Sequence, residues 1–477
     1  MDKERKELFE TERITRSVAR LALPSVIGQL ILVVYNMADT YFVGLTQNDA
    51  MITAVTVCMP AFMVLSAIAN LFGIGGGAVF SRALGRGELD KTATVCSVSA
   101  AGCAVVTLTY TAAVALFRRP FLSFLGASSA IVMDMSMECL MVTVCAGGLF
   151  TSLAAYLAHM VRAEGRSPQA SAGVMLGGVL NIALDPLFMF AVFPADKAVL
   201  AVGTATSVSN LAAFIYYAVL LSGRKTMLSF SIPQALTGFS DQKKRGVLRD
   251  ILLTGFPAFL MTLCENISYA VLDNLMAAAG IAAQAAVGVA KKINMLAHSI
   301  VRGLAQGVLP LLAYTYAARN YSKLRRIVRL TCISAAGISA VIMAFYMVFA
   351  GPLVDIFLPA GSGSIAYGSA FLRILCAGCP FSAFAYTIIS FFQAAGRSKM
   401  PFCLAVLRKG ALDIPLMFLL GRVFPVYGIV AATPIADIVC CAVSAILIKR
   451  WFTFFCSGVS IYSLPYCASW PYNRVGQ

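Results

Sequence analysis

Apolar residues run in stretches of about twenty or more along almost the whole chain, with short polar segments between them. A stretch of that length can cross the hydrocarbon core of a bilayer as one helix. The pattern predicts twelve membrane-spanning helices, at residues 18–44, 52–81, 93–117, 131–160, 168–192, 198–222, 251–279, 284–317, 327–358, 363–395, 401–424 and 427–448. We therefore expect an all-α membrane protein.

The same landmarks occur twice and in the same order. Gly165-Arg166-Ser167 recurs as Gly396-Arg397-Ser398, and about twenty residues after each copy an aspartate lies close to a proline. The other duplicated landmarks are Pro24 and Pro257, Tyr35 and Tyr269, Asp39 and Asp273, Gly73 and Gly303, Gly77 and Gly307, and Asp185 and Asp413. Because six spans in each half is an even number, the two six-helix bundles should be related by a parallel internal repeat.

Polar segments divide the chain into five parts. We expect a cytoplasmic N-terminal segment at 1–17, an N-terminal bundle at 18–222, a cytoplasmic linker at 223–250, a C-terminal bundle at 251–448 and a cytoplasmic tail at 449–477. The tail has no counterpart in the first half. It contains both tryptophans, Trp451 and Trp470, and should lie along the inner membrane interface.

Composition and charge exclude a soluble globule and indicate the orientation. Hydrophobic residues make up 60% of the chain and charged residues 12%. Of 37 lysines and arginines, 27 lie in or beside segments on the side of the N-terminus and four in the opposite loops. Both termini should therefore be cytoplasmic. The net charge of +16 then faces anionic lipid, so no nucleic-acid partner is needed to explain it.

Three predicted spans carry oxygen-bearing side chains at one depth. Asp39, Asp185 and Thr206 each fall about 8–12 Å below the outer surface, at about 1.5 Å per helical residue. Asn181 lies one turn deeper on the face of Asp185, and Tyr35 one turn below Asp39. Such a set suits a proton or a hard cation. Alternatively, Asn181 and Thr206 serve only to hydrogen-bond the helices together.

Intramembrane charges are distributed unequally between the halves. Arg20, Arg329 and Arg422 lie at span ends and are counted with the adjoining polar segments; the six remaining intramembrane bases all belong to the second half, namely Lys291, Lys292, Arg302, Arg373, Arg408 and Lys409. They could neutralise Glu265, Asp273, Asp413 and Asp437. The first-half acids Asp39, Glu138 and Asp185 have no basic partner in any span. They should therefore be protonated or hold a cation, as an ion-exchange site requires.

Other motifs give no sign of catalysis or of a bound cofactor. The glycine run 73–77 lies in an apolar span without a following Gly-Lys-Ser/Thr, so close helix packing explains it. The only histidines, His159 and His298, lack metal-ligand spacing with Cys or Glu. Most of the fourteen cysteines lie in or beside spans, as small apolar fillers. We expect neither a metal site nor a cofactor, and no enzyme activity.

Four further motifs carry a resemblance that covers residues 15–450. They are Tyr35-Asn36-Met37-Ala38-Asp39-Thr40, Gly85-Arg86-Gly87-Glu88, Asn181-Ile182-Ala183-Leu184-Asp185-Pro186 and Phe392-Gln393-Ala394-Ala395-Gly396-Arg397. With the twelve-span repeat, they resemble the multidrug and toxic compound extrusion (MATE) family. The resemblance implies two six-helix bundles arranged as a V around a central cavity, alternating access, and efflux driven by entry of protons or sodium ions.

The resemblance also implies site residues. The family's first-bundle cation site corresponds to Asp39, Asn181 and Asp185, and then to Thr206, although the spacing also allows Thr204. Glu265 matches an acid that another branch of the family uses in its second bundle. That branch also has a carboxylate in span ten, whereas residues 375–393 contain no acid here. Glu265 is therefore only a secondary candidate.

These observations predict a transporter that exports amphipathic cationic organic compounds, such as drugs and toxins, in exchange for H+ or Na+. We expect a monomer in a bacterial-type inner membrane, whose partners are small molecules and membrane lipid. A flippase for lipid-linked precursors is the alternative, but its cavity should be strongly basic. An intramembrane enzyme lacks a nucleophile or metal constellation here, and a channel lacks a filter shared by both halves.

Overall fold

The computed structural model describes residues 6–46, 48–127, 129–223, 226–231, 242–357 and 364–456. All regular secondary structure in these residues is helical. The α-helices are α1 (Ile14–Gly44), α2 (Asp49–Gly85), α3 (Leu89–Leu116), α4 (Arg118–Leu125), α5 (Ala130–Leu140), α6 (Gly148–Ala163), α7 (Ser167–Leu187), α8 (Ala198–Ser222), α9 (Gln242–Ala279), α10 (Ile281–Ala317), α11 (Tyr321–Asp355), α12 (Ser364–Ala377), α13 (Cys379–Ala394), α14 (Lys399–Val406), α15 (Asp413–Val423) and α16 (Tyr427–Cys456). Short π-helical segments are found at Glu7–Thr11, Met141–Ala146, Phe188–Val192 and Leu407–Leu412.

Within the described residues, nine helical segments are long and apolar enough to cross a membrane, and two bent pairs raise the number to eleven. Four of the twelve predicted spans are not continuous α-helices. Span 363–395 is bent by 41° between α12 and α13, and span 168–192 ends in the π-helical segment Phe188–Val192. The other two are divided by an internal π-helical segment. Span 131–160 is divided by the π-helical segment Met141–Ala146, and span 401–424 by Leu407–Leu412. The second break precedes Pro415, which lacks an N–H and crowds the carbonyl four residues earlier.

The duplicated Gly-Arg-Ser tripeptide ends one helix and begins the next. Gly165 and Gly396 have φ of +88° and +71°, a left-handed conformation that costs glycine least. In both copies, the amide of the following arginine donates to a carbonyl five residues earlier, at 3.2 Å for Arg166 and 2.9 Å for Arg397. This is the glycine helix cap known as the Schellman motif. The repeat therefore encodes the same helix boundary in each half.

Helix packing follows the repeat. In the first half, α1 packs on α7, α2 on α6, and α7 on α8. The equivalent contacts in the second half join α9 to the span of α14 and α15, α10 to α12 and α13, and α15 to α16. The two six-span bundles therefore have the same internal arrangement, as the parallel repeat predicted.

Contacts between the halves involve α1 and α2 on one side and α9 and α10 on the other. Glycines bring these helices close together. A Cβ added at Gly255 of α9 would lie 1.8 Å from the carbonyl oxygen of Leu71, and one at Gly303 of α10 would lie 2.6 Å from the Cα of Val26. Contacts that close mean that any larger residue at these positions would push the two helix backbones apart. We call this end of the molecule the closed end.

Away from the closed end, the halves have separate cores. The largest buried cluster draws on both halves, with Leu21 and Phe72 from the first and Ile251 and Leu312 from the second. The two other clusters each belong to one half, around Leu122 and around Phe371. The bundles thus diverge from the closed end toward an open end, with a cleft between them. This confirms the V-shaped architecture.

The segment before α1 packs against the closed end. Leu8 and Phe9 are buried, and the Phe9 ring stacks on Tyr314 of the second half at 4.9 Å. The Tyr314 hydroxyl donates to Glu10 at 2.7 Å, while Ser17 of α1 donates to the Leu8 carbonyl at 3.0 Å. The residues just before α1 therefore bridge both halves.

Both ends of the second half differ from the predicted boundaries. Helix α9 begins at Gln242, inside the predicted linker, and α16 continues to Cys456, inside the predicted tail. Trp451 lies on α16, where its ring contacts Phe391 at 4.9 Å. Trp470 lies outside the described residues. Hydropathy indicates where a helix enters the membrane. It does not reveal polar helical turns that continue outside the membrane, so it cannot place the end of such a helix.

Candidate functional site

Close packing of α1 on α7 brings the two first-half aspartates together. A Cβ added at Gly178 of α7 would lie 2.6 Å from the Ile31 side chain and 3.3 Å from the Tyr35 ring, so only glycine allows this approach. Asp39 lies one turn after Tyr35, and Asp185 two turns after Gly178. The carboxyl groups of Asp39 and Asp185 thereby come within hydrogen-bonding reach of each other.

This carboxyl pair has no basic partner among the described residues. Asp185 is 0% exposed, and neither of its carboxylate oxygens receives a donor from another residue. The Oδ1 atom of Asp39 is also buried without a donor. Two ionised carboxylates in such a place would repel each other and lack compensation. The arrangement is stable when the pair shares a proton or holds a cation.

Asn181 and Thr206 extend the oxygen set. The Asn181 amide donates to the Thr206 hydroxyl at 3.4 Å, and its buried Oδ1 has no hydrogen-bond partner among the described residues. Both threonine hydroxyls donate to a carbonyl of their own helix, Thr204 to Leu200 at 2.7 Å and Thr206 to Val202 at 3.0 Å. Of the two threonines that the spacing allowed, Thr206 is the one whose hydroxyl also accepts from Asn181. The tyrosine ring at position 35 flanks the set.

The four second-half acids named in the sequence analysis all form ion pairs, as the charge distribution predicted. Four of its six intramembrane bases contact acids: Lys291 with Asp273 at 2.6 Å, Arg302 with Glu265 at 2.9 Å, Arg408 with Asp437 at 2.5 Å, and Lys409 with Asp413 at 2.8 Å. The last two pairs are almost fully buried. Among the described residues, buried carboxyl groups without a basic partner are thus found in the first half.

One of the three first-half acids that were predicted to lack a basic partner does have one. Glu138 forms an ion pair with Lys197, which lies in the short 3-10 turn Ala195–Lys197 between predicted spans. The sequence analysis considered only bases inside predicted spans, so it could not identify a partner that lies in a loop. Asp134, which lies in the same predicted span, was missed in that comparison and is exposed. Asp39 and Asp185 remain as the contacting pair.

Two buried arginines at the closed end were also missed. Arg82 and Arg162 belong to the 27 basic residues counted above on the side of the N-terminus, yet they are only 7% and 3% exposed. Arg82 crosses between the halves and donates to the last carbonyls of α13, those of Gln393 and Ala394, at 3.1 and 3.2 Å. Arginines at the end of an apolar span, next to helix-breaking glycines, are the sequence signal that could have indicated them.

Glu265 lies in a different environment from Asp39 and Asp185. Both of its carboxylate oxygens accept from Arg302, at 3.0 and 2.9 Å, and the Arg302 guanidinium also lies 5.9 Å from the Tyr386 ring. A carboxylate neutralised in this way has no need of a cation. The geometry favours the secondary role predicted for Glu265.

We expect Glu265→Gln to reduce transport or stability moderately and to leave ion dependence unchanged. Arg302 keeps 34% of its side chain exposed, so loss of this charged hydrogen bond should cost about 1.5–3 kcal/mol. The measurement is efflux under separate sodium and proton gradients, together with thermal stability. Loss of ion dependence in Glu265→Gln, with Asp39→Asn still coupled, would move the exchange site to the second half.

Sequence comparison then identifies the family. The MatE family profile matches residues 24–187 and 257–419, one match in each half. The chain belongs to the MATE family of efflux transporters. It is therefore a multi-pass membrane transporter and not an enzyme, as the resemblance predicted.

Individual relatives of this MATE protein support the same placement. It is 28% identical over 432 residues to the multidrug export protein MepA of Staphylococcus haemolyticus, covering 91% of this chain and 92% of the relative. It is 27% identical to MepA of Staphylococcus aureus over 440 residues, or 92% and 94% of the two chains.

Solved structures share the fold. A crystal structure of a MATE protein in its straight conformation has a TM-score of 0.87 at 22% identity, covering 96% of this chain and 100% of that one. An outward-facing multidrug-resistance MATE transporter has a TM-score of 0.84 at 22% identity, covering 96% and 99%. The two-bundle architecture therefore extends along almost the whole chain.

Proposed function

We propose that this protein is a cation-coupled multidrug exporter in a bacterial-type inner membrane, and that Asp39 and Asp185 bind the coupling ion. The observation that carries the proposal is the contact between these carboxyl groups, which have no basic partner among the described residues. A proton or Na+ would neutralise the pair. The oxygens of Asn181 and Thr206 lie beside it and suit a hard cation.

Basic residues support an orientation for the cleft. The closed end carries the segment before α1 and the described start of α9, both of which adjoin the most basic polar segments. The positive-inside rule would place these segments in the cytoplasm and the open end outside. Asp39 is half-buried rather than sealed, so an external cation could reach the pair from the cleft.

Polar contacts at the base of the cleft are suited to alternating access. Gln29 donates to Gln306 at 3.2 Å, and Asn70 donates to Thr262 at 3.1 Å, each bond crossing between the halves. Neutral hydrogen bonds of this kind contribute only about 0.5–1.5 kcal/mol each, so the halves can part there without separating buried ions. Ion and substrate must then favour different access states, because a ligand that binds both equally shifts neither.

We propose amphipathic organic compounds, including cations, as the exported substrates. Support comes from the MepA relatives, which are multidrug export proteins, and from the unpaired acids of the first half. The second-half bases are mostly paired with acids, which argues against a strongly basic cavity for lipid pyrophosphate. We expect a monomer that needs no cofactor.

Efflux from reconstituted vesicles tests the proposal. Vesicles loaded with cationic, neutral or anionic dyes, or with a labelled lipid-linked precursor, would receive a sodium gradient or a pH gradient separately. We expect one gradient to accelerate export of cationic dyes. Dye export at the same rate with and without each gradient would refute coupling. Transport of the lipid-linked compound without dye export would favour the flippase.

A further inference from the structure

The second half contains a counterpart for most residues of the proposed cation site. Tyr269 and Asp273 repeat the four-residue spacing of Tyr35 and Asp39, Asp413 corresponds to Asp185, and Thr433 on the last helix corresponds to Thr206. One position differs in charge. Four residues before the second aspartate, the first half has Asn181 and the second half has Lys409.

Lys409 fills the centre of the second-half arrangement. Its Nζ donates to Oδ2 of Asp413 at 2.8 Å and lies 5.3 Å from the Tyr269 ring. The Ser268 hydroxyl donates to the same carboxylate at 2.7 Å, and the Thr433 hydroxyl at 3.0 Å. Lys409 is 2% exposed and Asp413 is 0% exposed. The second-half carboxylate is therefore fully compensated by groups of the protein itself.

Lys291 compensates the other second-half aspartate. Its Nζ lies 2.6 Å from both carboxylate oxygens of Asp273 and 5.1 Å from the same Tyr269 ring. The Tyr269 ring is thus flanked by two ammonium groups, and each of them is paired with one of the two duplicated aspartates. In the first half, Tyr35 adjoins two aspartates that contact each other, without a basic partner among the described residues.

We infer that Lys409 is a tethered cation, which takes in the second half the place that the transported cation takes in the first. The residue four positions before the second aspartate, Asn181 or Lys409, then decides which half exchanges a cation. An ammonium held by one covalent stem and a buried carboxylate cannot be released, so the second half cannot couple transport. This inference rests on the proposed cation site at Asp39 and Asp185.

Loss of the ammonium should leave a second oxygen-rich site. After Lys409→Asn, the oxygens of Asp413, Ser268, Thr433 and the new amide would surround one uncompensated charge. One carboxylate with neutral oxygens is a ligand set that suits Na+. Lys291 still neutralises Asp273, so the altered site would need one added positive charge.

The experiment first silences the first half and then alters the second. The double variant Asp39→Asn/Asp185→Asn would be purified in detergent, and its Tm compared in about 100 mM NaCl and about 100 mM choline chloride. We expect no difference between the salts. Adding Lys409→Asn should create a sodium-dependent rise in Tm of about 3 °C. Adding Asp413→Asn to that variant should remove the rise. A folded, monodisperse Lys409→Asn variant with the same Tm in both salts would overturn the inference.

If the Lys409→Asn variants do not fold, the converse substitution in the first half, Asn181→Lys, tests the inference instead. Asn181→Lys alone should abolish gradient-driven efflux and keep a Tm at or above that of Asn181→Met, because the new ammonium compensates the aspartates. Ion-driven efflux that survives in Asn181→Lys, or a Tm below that of Asn181→Met, would refute the tethered-cation role. Efflux by the unmodified protein that does not respond to either gradient would refute the proposed function. The gain of sodium binding after Lys409→Asn is measured without transport, so it tests the role of Lys409 separately.

Discussion

Asp185→Asn should abolish ion-driven efflux, a loss of about 100-fold or more, while thermal stability stays the same or rises. Efflux should be lost because the amide cannot alternate between a neutralised and a charged form, so the ion no longer biases the two access states. Stability should not fall, because Asp185 is 0% exposed and its oxygens have no donor from another residue. Removing an uncompensated buried charge relieves a cost.

Asp413→Asn is the matched control in the second half. It makes the same chemical change at the duplicated position, but it leaves Lys409 buried without its carboxylate. Breaking a buried ion pair in this way costs about 3–5 kcal/mol, so this variant should lose stability. Dye efflux under an imposed gradient and thermal unfolding, measured on both variants, distinguish the two effects. Gradient-driven efflux at the normal rate in both Asp185→Asn and Asp39→Asn would contradict the assignment.

Sequence reasoning recovered the architecture because the features that define it are local. Apolar runs gave the spans, and the repeated Gly-Arg-Ser tripeptide marked the same glycine-capped helix end in each half. It did not find the π-helical segments Met141–Ala146 and Leu407–Leu412. Those breaks leave hydropathy unchanged, because a π turn widens the backbone without altering which residues are apolar. The start of α9 at Gln242 was missed for the related reason that polar helical turns resemble a linker.

The candidate site was predictable in its residues but not in its contacts. Helix periodicity placed Asn181 on the face of Asp185, yet the choice of Thr206 over Thr204 depended on the rotation of α8 against α7. The pairing of Glu138 with Lys197 joins a span to a loop, and no periodicity encodes that contact. The buried position of Arg82 likewise depends on how the second half docks against the first. Contacts between elements far apart in sequence decided each of these cases.

Gly255→Ala should open the closed end and lower export by at least about tenfold. The added Cβ would lie 1.8 Å from the Leu71 carbonyl oxygen and 2.7 Å from its carbonyl carbon, both atoms of a helix backbone that cannot yield by rotating a side chain. Overpacking of this kind costs about 1–3 kcal/mol, and each 1.4 kcal/mol changes a conformational equilibrium about tenfold. Alanine favours the helix by about 1 kcal/mol over glycine, so the substitution does not weaken α9 as a helix.

Gly337→Ala provides the control, because Gly337 also lies within a helix, α11, and a Cβ there would meet no atom within 4 Å. This variant should export normally and be slightly more stable. Hydrogen–deuterium exchange by mass spectrometry should show faster exchange around residues 66–80 and 250–262 in Gly255→Ala, and unchanged exchange there in Gly337→Ala. Exchange and efflux in Gly255→Ala that match the unmodified protein would mean that α2 and α9 do not form the closing contact during transport. If instead exchange rises and efflux is retained, closure at this crossing is not needed for export, and the other contacts between the halves, such as those of α1 with α10, would have to seal the closed end.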